Sequence, residues 1–590
     1  MPPNMSLPKW LDRGWLLVCL LASSAWCITA ADRLSATWDE PAYVAHGLEH
    51  WRSGSIRSLA CHGTMPLPMD VATLPLYVWE RWQGTPLDPV TDLDHLLPWA
   101  RASSLIFWWL LLIYGWLTGR ELAGPWGGRV AVTLLACEPT LLAHATLATT
   151  DMALSACLLA LTYHFHRGRG AGWFRRIGWP AFWLAASMLA KLSGLAFGPL
   201  CLGIIEMERI FTAWRKRRRA TSGAIAETVP CARLSPFRLV PAAFRPFWRD
   251  MVQIMPAALI LVLLYCINDA HPIREFVNWT HRLPDNPMTR TLVWTAEHLR
   301  VANVVGEAFK FQVHHNRDSH VSGCYGLGLN CLPHWYYFPL VSSMKLTLPL
   351  LVLPILLVLI RPRSLLNWAY LSGLALLLFS LQSRIQIGVR LVLPAVVLGT
   401  VGLAVAFVRA PRPNAVWMRR FGTACLSACL AWSAFSCVHV WPHGLCYVNE
   451  LWGGTENGYL YVGDSNYDWG QGLKDLDRWR REHGVTSLAL GYFGDSSVLH
   501  DWDVSRLPLP DMWLDGPDGL LARARGHYLA VSTTLVYSHG DSPAVLYLRR
   551  LPPVDRTMTF LIYDFTGKTP LPQPADTDSI CAARLAAPTK

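Results

Sequence analysis

The sequence predicts an all-α polytopic membrane bundle of about 11 spans, with a long first outer loop and a small C-terminal extracytoplasmic α/β module. Three observations predict it. The 590 residues are 52% hydrophobic and only 16% charged, with 29 tryptophans, and the mean hydropathy is +0.25. Apolar runs near bilayer length recur up to about position 440. Lys and Arg gather in alternate connections between those runs, as a positive-inside chain requires.

The runs lie at 14–31, 103–118, 129–147, 152–166, 180–207, 252–267, 342–360, 366–381, 388–408 and 420–440. The 180–207 run is long, and Lys191, Leu192, Ser193 and Gly194 interrupt it. It reads as two half-crossings folded back toward each other. Lys9 and Arg13 precede the first run, which has further spans behind it and no small-residue cleavage site, so it is an anchor. Arg120, Arg129, the stretch 166–176 (HRGRGAGWFRR), the stretch 214–219 (WRKRRR), Arg361, Arg363 and the segment 409–420 supply the remaining basic connections. A cytoplasmic N-terminus puts all of them inside. Segments 32–102, 148–151, 268–341, 382–387 and everything after 441 then lie outside. The domain reading is a bundle over 1–440, containing a first outer loop 32–102, a basic cytoplasmic linker 215–250 and an outer loop 268–341. A soluble module over 441–590 follows.

In that module TSLALGYFG, HYLAVST and TFLIYDF alternate or run apolar in strand-length stretches. LKDLDRWRREHGV (473–485) has helical spacing closed by a glycine. The net charge of +11 does not point to nucleic acid, because no basic face is interleaved with stacking aromatics. The 15 cysteines mostly sit in apolar runs as small hydrophobes. No Gly-rich phosphate loop or dinucleotide fingerprint occurs, which argues against a nucleotide-sugar donor.

Two acids end the first run: Asp39 and Glu40, in TWDEPAYVAHG. Two readings of Asp39 stand open. It caps the helix that Pro41 begins, or it does chemistry beside the membrane. Asp151 lies at the next outward turn, and Lys191, Lys345, Arg384 and Arg390 fall in or beside spans. Ionisable groups there are costly and suggest function. Carboxylates among several cations suit an anionic, lipid-borne substrate: cations hold a phosphate, and a carboxylate takes the proton of an incoming hydroxyl. Snorkelling to the headgroups is the plain alternative for each cation, Lys345 above all.

The motifs TWDEPAYVAHG, EPTLLAHATLATTDMAL (138–154), AKLSGLAFGPL (190–200), HWYYFPLVSSMKLTLPL (334–350), SRIQIGVRLVLP (383–394) and YVNELWGGTENGYLYVGDSNYDWGQGLKDL (447–476) occur in that order. Together they resemble the bacterial polyprenyl-phosphate-sugar-dependent glycosyltransferases of the GT-C superfamily. These are the protein O-mannosyltransferase and aminoarabinose transferase-like enzymes, of the glycosyltransferase family 39 type. The resemblance implies a GT-C catalytic bundle in a bacterial inner or plasma membrane, a polyprenyl-phosphate-linked sugar donor, a lipid, glycan or protein acceptor, and inversion at the sugar. It implies Asp39 as catalytic base with Glu40 beside it, and Asp151 near the donor or a metal. Lys191, Lys345 and Arg390 fall where the donor phosphate would be held, and His62, His315, His320, Tyr336 and Tyr337 where substrate would be touched. No cofactor is certain. A divalent cation on Asp39 and Asp151 stays open.

The chain departs from the family pattern at His62, in a weak version of the first-loop motif, at Gln386 and Leu391 around Arg390, and at Pro333 and His334. A disulfide between Cys324 and Cys331 is an open expectation on the oxidising side. Asp464 and Asp468 read as turn formers ahead of a helix rather than as ligands, in a segment placed to dock the module on the bundle. The alternatives to sugar transfer from a lipid monophosphate are an oligosaccharide transferase or polymerase and, in a different class, a lipid or anion transporter. The transporter would favour inverted repeats and mid-membrane charges, which this sequence lacks.

Overall fold

The computed structural model describes residues 9–224, 236–268, 274–321, 333–410, 416–499, 516–538 and 542–567. The chain is mostly helical. Helix α1 (Lys9–Arg33) enters the bundle, and α2 (Glu40–Ser53), α3 (Arg57–Cys61) and α4 (Leu67–Gln83) fill the first long loop. The long element α5 (Leu93–Ala136) holds the expected 103–118 run and the first part of the 129–147 run, whose remainder falls in the next helix. It breaks at Ala123 and at Gly124, whose φ of 74° suits only glycine, and Pro125 starts the return. The two arms approach so closely that a Cβ on Gly127 would lie 2.3 Å from the Gly119 carbonyl oxygen.

The next spans are broken rather than straight. Helices α6 (Pro139–Ala145) and α7 (Thr150–Gly168) meet at 110°. After α8 (Trp179–Ala190) the backbone is extended at Lys191, φ −162° and ψ 138°, before α9 (Gly194–Ala224) begins. The interruption expected at 191–194 is there, and α8 packs against α9. Helix α10 (Pro236–Tyr265) follows, so the 215–250 stretch is helical at both ends. Then come α11 (Arg274–Thr280), α12 (Pro287–His298) and α13 (Arg300–Asp318). Next are α14 (Tyr337–Lys345) and α15 (Leu348–Ile360), bent by 114°, then α16 (Trp368–Ser380), α17 (Leu393–Arg409) and α18 (Val416–Val440).

Among the described residues five helices are long and apolar enough to cross a membrane, or seven if each bent pair is one span. Helix α8 rises only about 18 Å, short of the ~30 Å hydrocarbon core. The breaks have a common consequence. Asp151 is the second residue of α7, Lys191 lies between α8 and α9, Lys345 ends α14, and Arg390 sits in the turn before α17. Irregular backbone at membrane depth is tolerated where it lines a cavity or is buried in protein. Every ionisable residue singled out in the spans stands at such a break.

The C-terminal strands lie where the short apolar stretches predict them. Four strands run in the order Leu488–Gly491, Tyr528–Ser532, Phe560–Asp564, Asp555–Arg556, with the first pair parallel and the others antiparallel. Both faces are covered. Leu488, Leu490, Ala530, Phe560 and Ile562 pack on Leu473, Leu476 and Trp479 of the predicted helix. Leu529, Val531, Leu561 and Tyr563 pack on Leu520 and Leu548, and this second core takes in Leu445 and reaches Ala143 and Leu147 of the bundle.

Lys345 fixes that junction. It is 1% exposed, and its Nζ donates to the carbonyls of Leu445 (2.7 Å), Tyr447 (2.6 Å) and Asn466 (2.6 Å). The expectation that Lys345 holds donor phosphate is therefore corrected: three carbonyls occupy its three N–H groups, and it does not line the cavity described below. Cys324 and Cys331 lie outside the described residues. Lys345→Met should leave three buried carbonyls without their donor. We expect it to cost on the order of 3 kcal/mol, read as a lower Tm in detergent and faster proteolysis after residue 441; an unchanged Tm would show that the lysine does not hold the tail.

Candidate active site

The local sequence at the start of α2 aims its two acids apart. Successive helical side chains diverge by about 100°, so Asp39 and the first helical residue Glu40 cannot face the same way. Asp39 occupies the N-cap position but makes no side-chain cap hydrogen bond. Its Oδ2 takes a hydrogen bond from Arg390 Nη1 at 2.8 Å, with the Tyr43 hydroxyl donating at 3.4 Å. Of the two readings left open by the sequence, capping is not the one the geometry favours.

Glu40 turns the other way and is fully buried. Arg101 grips it with Nε to Oε1 at 2.8 Å and Nη2 to Oε2 at 2.7 Å. The remaining N–H groups of Arg101 go to the carbonyls of Ala31, Leu34 and Ser35. Glu40 also accepts from the backbone of Thr37 and Ala148, each at 2.9 Å, and from the Thr37 hydroxyl. Burial alone would raise its carboxyl, but the Arg101 guanidinium and these N–H groups outweigh it and hold the pKa below the usual value. The expectation that Glu40 works beside Asp39 is corrected: its oxygens are spent inside the fold and it does not line the cavity.

That cavity measures about 1000 Å³ and is lined by Asp39, Lys191 and Arg390 together with His62, His315 and His320. Along its wall runs a chain of alternating charge, in which Asp151 is 1% exposed and lies behind the lining residues Thr150, Lys191 and Arg390. Arg390 bridges from Asp39 to Asp151, whose Oδ2 lies 4.0 Å away, and Lys191 Nζ donates to Asp151 Oδ1 at 2.5 Å. Arg390 also lies over the Trp469 ring, 4.2 Å from its centroid, a cation–π contact. Two buried atoms of this chain, Arg390 Nε and Asp151 Oδ2, make no hydrogen bond among the described residues. The tyrosines lie elsewhere. Tyr337 is buried and accepts from the Asn466 amide at 3.2 Å, while Tyr336 stacks on His334. Neither lines the cavity, so the expectation that they touch substrate is corrected; the neighbouring Phe338 does line it.

The segment 464–471 contributes more than a turn. Asp464 lines the cavity at φ 52°, a conformation rare for a residue other than glycine. Ser465 donates to the Ile387 carbonyl at 2.5 Å and Val389 N–H to Asn466 Oδ1 at 2.8 Å. A Cβ at Gly388, φ 149°, would lie 2.2 Å from Ser465 Oγ, so only glycine lets the Arg390 turn sit this close. Backbone bonds from Ser35 to Gln471 (3.0 Å) and Trp38 to Trp469 (2.9 Å) pin the residues just before Asp39. The turn reading of Asp464 was legible from its neighbours; its place in the cavity was not. Arg101 and Trp469 were missed, the first because it stands next to an apolar run and the second because nothing local marks its partner.

No group of three or more His, Cys, Asp or Glu side chains that could hold a metal ion occurs among the described residues. Asp39 and Asp151 instead face side-chain cations. Glu40→Gln should leave Arg101 buried beside a neutral partner and cost about 3–5 kcal/mol, whereas Asp39→Asn should cost less, because Arg390 keeps Asp151 4.0 Å away. The sign with pH follows from the downward shift of Glu40: its contribution is present above the ordinary carboxylate range and lost as pH falls through the folded value. Melting curves between pH 7 and pH 3 should show an acid-side loss in the wild type that is blunted in Glu40→Gln.

No protein-family model matches the chain. No curated protein matches it. Among solved structures the chain is similar to ArnT from Cupriavidus metallidurans bound to undecaprenyl phosphate, at 13% identity over 95% of this chain and 99% of that one, with a TM-score of 0.46. The apo state of the same protein matches at 15% identity over 93% and 97%, with a TM-score of 0.28. The Archaeoglobus fulgidus oligosaccharyltransferase tethered with an acceptor peptide matches at 11% identity over 91% of this chain and 72% of that one, with a TM-score of 0.42.

Proposed function

We propose that the protein is a membrane glycosyltransferase that moves a sugar from a polyprenyl-phosphate carrier to an acceptor hydroxyl on the outer side of the membrane. The observation that carries this reading is the Asp39–Arg390–Asp151–Lys191 chain along one large cavity. Carboxylate and cations alternate there at breaks in apolar helices, where a charged headgroup can be met without leaving lipid. The same cavity carries apolar surface at Leu195, Phe197 and Phe379, suited to isoprenoid units.

In this reading Lys191 and Arg390 hold the donor phosphate. Arg390 lines the cavity and its Nε is not committed to a partner, so a small turn of the guanidinium lets it donate to a phosphate oxygen. The acceptor oxygen attacks the anomeric carbon from the side opposite the phosphate. The new C–O bond forms, the old one breaks with its electron pair going to the phosphate, and Asp39 takes the hydroxyl proton. The cations stabilise the leaving polyprenyl phosphate, and the sugar is inverted. Asp151 keeps Lys191 aimed, since an acid 1% exposed beside it fixes the ammonium. The bundle over 1–440 does the chemistry, and the module over 441–590 clamps the Asp39 and Arg390 segments together. All of 32–102 and 441–590 lies on the outer side, with the N-terminus cytoplasmic.

The test is transfer and binding in nanodiscs with labelled polyprenyl-phosphate sugars. Asp39→Asn should lower transfer at least ~100-fold with the Kd for polyprenyl phosphate unchanged. Lys191→Gln should raise that Kd about tenfold, or ~1.4 kcal/mol. Wild-type protein that fails to bind polyprenyl phosphate, or Asp39→Asn that transfers normally, overturns the reading.

A further inference from the structure

The wall of the cavity formed by α13 and the turn 62–65 that follows α3 is built differently from the Asp39–Lys191 chain, and its chemistry bears on the acceptor. Among the described lining residues Lys191 and Arg390 are the two permanent cations, and each already sits on a carboxylate. A donor phosphate uses both. No further cation lines the described cavity to receive a second phosphate or a carboxylate, and Asp39 and Asp464 would repel one. The α13 wall instead sets amides and imidazoles among Met65, Phe309 and Phe311, with no carboxylate and no Lys or Arg among its described lining residues.

Its groups offer donors and acceptors in mixture. Gln312 spends its amide N–H on the Gly63 carbonyl at 3.0 Å, so Oε1 is left as an acceptor. Asn316 spends Oδ1 on the Arg384 N–H at 2.9 Å, so its NH₂ is left as a donor. In each case the backbone partner fixes which way the amide points. His62 donates Nδ1–H to the Ser58 carbonyl at 2.8 Å, so Nε2 is the nitrogen left for another partner. His315 and His320 share one hydrogen bond, Nε2 to Nδ1 at 3.1 Å, and each keeps its other nitrogen. Burial, with His320 and Arg390 nearby, holds the His315 imidazole below its usual pKa, so it is neutral at pH 7. Beside Asp39 stands Trp38, 40% exposed and lining the cavity, with Phe493 behind it at 5.1 Å. An exposed indole presents a flat apolar face.

We infer that the acceptor is an uncharged, polyhydroxylated glycan: the amides and imidazoles of the α13 wall bind its hydroxyls, and the Trp38 face carries a sugar ring beside Asp39. A hydroxyl is donor and acceptor at once, which is what this alternation of Gln312, Asn316 and imidazole nitrogens matches. A site that hydrogen-bonds hydroxyls also rejects ligands that leave its polar groups unpaired. The inference rests on the proposed sugar transfer and narrows its acceptor.

The test separates the two. Full-length protein in labelled nanodiscs, loaded with polyprenyl phosphate, is probed on an array of neutral oligosaccharides, their phosphorylated counterparts and serine- or threonine-bearing peptides. Binding of polyprenyl phosphate is measured independently. We expect neutral glycans to bind, with Trp38→Ala and Asn316→Ala each weakening them about tenfold while the Kd for polyprenyl phosphate stays within twofold. Normal polyprenyl-phosphate binding with no neutral glycan bound, with phosphorylated glycans or peptides preferred, or with neutral binding indifferent to both substitutions, overturns the inference and leaves the sugar-transfer reading standing. Failure to bind polyprenyl phosphate overturns both.

Discussion

The Glu40–Arg101 ion pair is the contact on which the candidate site depends. It joins three parts of the chain: the end of α1 through the carbonyls of Ala31, Leu34 and Ser35, the start of α2 through Glu40, and the α6–α7 turn through Ala148. Each N–H of the guanidinium has an acceptor. A buried pair is a weak source of net stability unless its remaining hydrogen bonds are made; here they are, and the gain is direction. With Glu40 locked inward, the neighbouring Asp39 is forced outward into the cavity and onto Arg390.

The other end of that contact is fixed from the tail. Arg390 lies on a turn that only Gly388 allows to approach Ser465, and Trp469 supplies the ring beneath its guanidinium. Lys345 ties the same tail segment to the end of α14. Two different stretches, one near residue 40 and one near residue 466, thus hold the acid and the cation at hydrogen-bond distance. Broken helices make this possible. A charge inside a continuous span would face lipid or the neighbouring helix, whereas a break gives it a cavity wall and free backbone partners.

Much of this was legible from the chain. The interruption at Lys191 is visible because Lys191, Ser193 and Gly194, three polar or small residues, cut a long apolar run. The strands near 488, 528 and 560 are visible because their apolar stretches have strand length. Asp39, Asp151, Lys191 and Arg390 stand out because ionisable side chains are rare in such surroundings. Lys345 and Glu40 stand out for the same reason, yet both are structural. Rarity marks a charge that has a partner; it does not say whether the partner is a carbonyl of the tail, an arginine of a distant helix or a ligand.

The sequence by itself determined the apolar runs, the interruption at 191–194 and the short list of charges that had to be paired, because hydropathy and charge are local properties of the residues; the bends between α6 and α7 and between α14 and α15 came only with the structure. Only the tertiary structure decided which acid faces the cavity. Asp39 and Glu40 are adjacent in the chain and alike in chemistry, and they differ because Arg101, some sixty residues away, reaches one of them and Arg390, some three hundred and fifty away, reaches the other. Such pairings are set by how distant segments pack, and no local pattern encodes them.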